Sequence, residues 1–63
     1  MTPKQRSLRE TELKRDKERL ATARDRLLIA KILSDDQIAA DTEYEIAVLT
    51  NRIAGFKQQL TET

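Results

Sequence analysis

Mostly apolar residues recur at heptad spacing along two stretches of this chain: Leu13, Leu20, Ala23, Leu27 and Ala30 in the first, then, in unbroken steps of three and four, Ala39, Thr42, Ile46, Leu49, Ile53, Phe56 and Leu60 in the second. That spacing is the a/d pattern of a helix burying one seam against another helix. Folding the chain back about the junction of Ser34 and Asp35 brings the stretches into register. Leu13 falls opposite Phe56, Leu20 opposite Leu49, Ala23 opposite Ile46, Leu27 opposite Thr42 and Ala30 opposite Ala39. The pattern predicts an all-α fold, an antiparallel, coiled-coil-like two-helix hairpin that self-associates into a helical bundle. Flanking charges agree, since Lys31 comes opposite Asp36, Arg24 opposite Glu43 and Arg26 opposite Glu45, while Leu33 and Ile38 close the turn.

Cap signals set the boundaries. Thr2, Pro3 and Gln5 read as N-cap, first helical residue and capping-box partner, so the first helix spans about 3–33. Ser34-Asp35-Asp36-Gln37 repeats that signal with Ser34 as N-cap, placing the turn at about 34–35 and the second helix at about 36–61. A single continuous helix is the competing reading, because no Gly or Pro marks the turn. It leaves Leu13, Leu20 and Leu27 on a face of their own and puts Asp35 in a core position. Two defects remain in the hairpin register, Asp16 opposite Ile53 and Arg9 opposite Leu60, and they predict looser packing towards the chain ends.

The seam does not consume every apolar side chain. Leu28, Ile29, Ile32, Leu33, Ile38, Tyr44 and Val48 leave the turn end apolar around much of its circumference, which predicts a partner interface there. Size makes the same demand. A chain of 63 residues buries only about 60% of its unfolded surface. With neither Cys nor His, disulfides and thiolate or imidazole metal sites are excluded, leaving association with itself, as a dimer first, or with a helical protein.

Charge adds a lengthwise polarity. Residues 20–49 hold three basic and six acidic side chains, a net of −3, and the remaining open end holds nine basic and five acidic, a net of +4. Two hairpins packed by charge alone would therefore lie antiparallel. The basic series Lys4, Arg6, Arg9, Lys14, Arg15, Lys17 and Arg19 is a candidate nucleic-acid contact, a ROP-like regulator being the alternative function. Glu10, Glu12, Asp16 and Glu18 interleave with it at ion-pair spacing, and no aromatic lies among these residues to stack on bases.

Nothing points to catalysis or a cofactor. Carboxylate pairs such as Glu10/Asp16, Asp41/Glu43 and Asp35/Asp36 need a concave, dehydrated site to do acid–base work, which a thin hairpin does not offer. No membrane-length apolar run occurs, and the start Met-Thr-Pro-Lys-Gln-Arg lacks a secretory apolar stretch, so a cytoplasmic location is expected. In size and plan the chain resembles the ROP-type hairpins, which pair into antiparallel four-helix bundles and bind RNA loops. It also resembles the hairpin chaperones of bacterial secretion systems, which mask an amphipathic helix of a client. Both likenesses lie in the plan and not in a shared motif. The sequence thus predicts a non-enzymatic protein-interaction module of the adaptor, chaperone or regulatory kind.

Overall fold

The computed structural model describes residues 2–61. They form two helices, α1 (Pro3–Ile32) and α2 (Asp36–Thr61), packed along each other in a rod of 47 × 14 × 12 Å. The chain reverses at Leu33, Ser34 and Asp35, which disposes of the continuous helix. The fold is an all-α helical hairpin.

α1 starts where the cap residues require. Thr2 is extended (φ −75°, ψ 157°), its Oγ1 accepts from the Gln5 backbone N–H at 3.2 Å, and its own N–H donates to Gln5 Oε1 at 3.1 Å. This reciprocal box satisfies two of the donors that a helix start leaves orphaned, and Pro3 has no N–H to satisfy. Arg6 and Glu10, one turn apart, pair at 3.3 Å, as do Arg9 and Glu12. Each such exposed pair adds about 0.3–0.5 kcal/mol of helix stability.

The turn differs by one residue from the sequence expectation. Ser34 is not the N-cap of α2; it takes the left-handed region (φ 56°). Its N–H donates to Lys31 O at 3.1 Å, and the Asp35 N–H donates to Ala30 O at 2.9 Å. These two bonds form a Schellman motif, which satisfies the last carbonyls of α1. Asp35 then caps α2, its Oδ1 accepting from the Ile38 N–H at 3.2 Å. Gln37, expected to complete a capping box, instead directs its amide Nε2 to Asp41 at 3.4 Å. The shift has a physical cause: with Asp35 as cap, the stop of α1 and the start of α2 share adjacent residues, and the Ala30 and Lys31 carbonyls and the Ile38 N–H all find partners.

Between the helices runs the expected seam. Ala23, Ala30 and Asp16 of α1 and Thr42, Leu49 and Ile53 of α2 are buried. Leu13, Leu20 and Leu27 on one side, with Ala39, Ile46, Phe56 and Leu60 on the other, are half-buried. Ala23 and Ala30 let the backbones approach closely. Thr42 is polar, yet its hydroxyl donates to Ile38 O at 2.7 Å, so its burial leaves no donor unpaired.

Asp16 corrects the sequence reading most sharply. Expected as a defect opposite Ile53, it is only 2% exposed, and Ile53 is buried with it. Arg52 Nε reaches across from α2 to 3.2 Å from Asp16 Oδ2, and Arg19 Nη1 lies 3.8 Å from Oδ1. The Arg52 N–H is not aimed at Oδ2, which has no hydrogen-bond donor, so the contact is an ion pair without hydrogen-bond geometry. The Arg52 guanidinium also lies 5.9 Å from the Phe56 ring centroid. Beyond this cluster, among the described residues, no seam residue is fully buried: Leu13, Phe56, Arg9 and Leu60 are all half-buried.

Candidate interaction surface

Successive helical residues turn by about 100°, so a residue next to a seam position faces well away from the seam. With Leu27 and Ala30 on the seam, Leu28, Ile29 and Ile32 point outward. With Ala39, Thr42 and Ile46 there, Ile38 flanks it and Tyr44 and Val48 point away. Leu33 is carried out on the C-cap. All seven residues expected at a partner interface are exposed, from 40% at Val48 to 75% at Tyr44. At 1.5 Å per residue they lie within roughly 20 Å of the turn. Leu8 is the one large exposed apolar residue that the sequence reading missed. It stands alone near the open end, as single surface leucines commonly do.

The basic series is arranged differently. Lys4, Arg6, Lys14, Arg15, Lys17 and Arg19 are exposed and Arg9 is half-buried, but their spacing distributes them around α1 and not along one face. Arg6, Arg9 and Arg19 are held by Glu10, Glu12 and Asp16 respectively. Tyr44, expected at the partner interface, is an exposed aromatic on a helix face. It stands among Asp41, Glu43 and Glu45, in the acidic half, and away from the basic series.

Two shallow grooves follow the seam. One, of about 350 Å³, is lined by Arg15, Arg19, Thr22, Ala23, Arg26 and Glu45 among others. Arg26 and Glu45 pair across it at 3.5 Å, as the register predicted. Arg24 lies about 200° around α1 from Arg26, on the opposite flank. There a second groove of about 280 Å³ is lined by Leu20, Arg24, Thr50, Ile53, Ala54 and Lys57. On that flank the predicted pairs Lys31–Asp36 and Arg24–Glu43 do not close; among the described residues, no ion pair within 4.0 Å involves any of the four.

Most of the carboxylates considered for acid–base chemistry have structural roles. Glu10 pairs with Arg6, Asp16 is enclosed by Arg19 and Arg52, Asp35 caps α2, and Asp41 accepts from Gln37. Among the described residues, no group of three or more His, Cys, Asp or Glu is placed to hold a metal ion, and no helix is long and apolar enough to cross a membrane. No protein-family model, curated protein or solved structure matches the chain. The resemblance to ROP-type and chaperone hairpins therefore remains one of plan.

Proposed function

We propose that this chain is a small non-enzymatic interaction module, an adaptor, chaperone-like or regulatory hairpin whose working surface is the apolar turn end. One observation carries the reading. Leu28, Ile29, Ile32, Leu33, Ile38, Tyr44 and Val48 are all substantially exposed at one end of a rod whose buried apolar residues, among the described residues, number only Ala23, Ala30, Leu49 and Ile53. A hairpin with so thin a core gains by covering that end, and an apolar helix face supplied by another hairpin or another protein is the natural cover. The nucleic-acid alternative has less support, because three of its seven basic residues are held in ion pairs and the set does not share a face.

The test is the concentration dependence of mass by light scattering. The parent should exceed the mass of one hairpin, and changing Ile29 and Ile32 together to Glu should lower that mass while helicity persists, because charge placed in an apolar contact is left unpaired. An Ile29→Glu/Ile32→Glu variant with the parent's mass at every concentration would remove these residues from the interface. Charge reversal at Arg15 and Arg19 would then test the basic alternative.

A further inference from the structure

The two flanks of the seam are not equivalent. Ion pairs bridge the helices on the Arg26 flank, where Arg26–Glu45 and Asp16–Arg52 span a groove that reaches down to Ala23. The opposite flank is open down to the seam residues Leu20 and Ile53. Seven-residue spacing repeats this open flank along each helix, placing Lys17, Arg24 and Lys31 in a row on α1 and Asp36, Glu43 and Thr50 in a row on α2. Lys31 stands level with Asp36, and Arg24 level with Glu43. Neither pair closes within the chain, whereas the equivalent Arg26 and Glu45 do.

We propose that a second copy of the chain occupies this open flank, lying turn beside turn about a twofold axis parallel to the rods. The proposal rests on the reading of the chain as an interaction module and specifies the partner and its orientation. Such an axis sets α1 of one copy against α2 of the other at equal height. Arg24 then meets Glu43 of the other copy and Lys31 meets its Asp36, each pair occurring twice. Leu28, 61% exposed, comes to lie over Ala40 of the other copy, and Ala21 over its Ala47, where small side chains permit close approach.

The reverse orientation fails on both counts. A twofold axis across the rods sets α1 against α1, which opposes Lys17 to Lys17 and leaves Arg24 away from Glu43, and it lays the apolar turn end over the basic open end. The net lengthwise polarity favours that reverse orientation. Its charges are spread along 47 Å and screened beyond about 10 Å, while the pairs that close act at contact.

Complementary mixing is the decisive experiment. Arg24→Glu and Glu43→Arg should each weaken the two-copy species about tenfold, as two attractive pairs become repulsive. Mixed in equal amounts they should restore it, because each reversed charge meets its reversed partner in the other chain. Single variants as dimeric as the parent, or a mixture no more associated than its components, would overturn the proposal.

A second measurement avoids reliance on charge variants. Oxidising a mixture of Ala21→Cys and Ala47→Cys chains should give the mixed disulfide between two chains, whereas a predominance of either symmetric product would overturn the orientation. Ile29 and Ile32 lie off this flank, so Ile29→Glu/Ile32→Glu should remove association through the apolar turn end and lower the mass to that of two hairpins, but no further. Failure of the apolar-end reading is thereby separable from failure of this one.

Discussion

Near the turn, Ala30, Ala23 and Thr42 put small side chains on the seam, and Leu49 completes an apolar stretch that excludes water without any charge. Further out, the same heptad positions carry Asp16, buried beside Ile53 and held by Arg52 and Arg19. The pattern is continuous while the chemistry changes. The turn half is held by shape, and the open half depends on an ion pair whose desolvation offsets much of its attraction. A heptad thus fixes which positions face inward and leaves open what fills them.

The largest effect is expected in the turn half. Leu49→Ala removes one of the two large apolar side chains, with Ile53, that are buried in the seam among the described residues, and should cost about 2–4 kcal/mol, read as a lower urea midpoint. For a domain this small that loss approaches the whole stability. A cost under about 1 kcal/mol would mean that the apolar stretch collapses around the gap and is not shape-limited.

Asp16→Leu inverts the sign. Arg52 and Arg19, with side chains 48% and 62% exposed, can return to water, so replacing the buried carboxylate should raise stability by about 1 kcal/mol. A fall of that size in the urea midpoint would instead make the ion cluster a net stabiliser and erase the contrast between the halves. A change of similar magnitude, also in the open half, is expected at Gly55. A Cβ built there meets nothing within 4 Å, and Gly55→Ala should add about 0.5–1 kcal/mol by helix propensity alone. An unchanged melting temperature would show that this end of α2 is frayed in the parent.

Sequence periodicity was enough for the seam because burial follows backbone geometry: Ala39 to Leu60 keep strict three- and four-residue steps, and Leu13 to Ala30 break them only at Asp16. Thr2 and Gln5 were legible as a cap for a similar reason, their partners lying in the same turn. Ser34 was misassigned because Ser and Asp are equally good caps in isolation. What separates them is the left-handed conformation at Ser34, usually flagged by Gly, and that is decided by the carbonyls of Lys31 and Ala30.

Asp16 looked like a defect because its neutralising partner is on the other helix. The clue available was Arg52, adjacent in sequence to Asp16's opposite number, Ile53. The exposed turn-end residues were legible by elimination, being the apolar side chains left over once the seam was filled. Which flank stays open was not legible, because the register sets all three cross-helix pairs level, and only the side-chain geometry closes Arg26–Glu45 and leaves Arg24 and Glu43 apart.

The tight reversal at Ser34 and Asp35 also orders events in time. Residues facing each other across the seam are near neighbours in the chain at Ala30 and Ala39, and become steadily more distant towards Leu13 and Phe56, so the closure entropy of each successive contact grows outward. Folding is therefore expected to zip from the turn, with the Asp16–Arg52 cluster joining late. Substitutions around Ala30 and Thr42 should slow folding, whereas those at Asp16 and Arg52 should change chiefly how fast the hairpin comes apart.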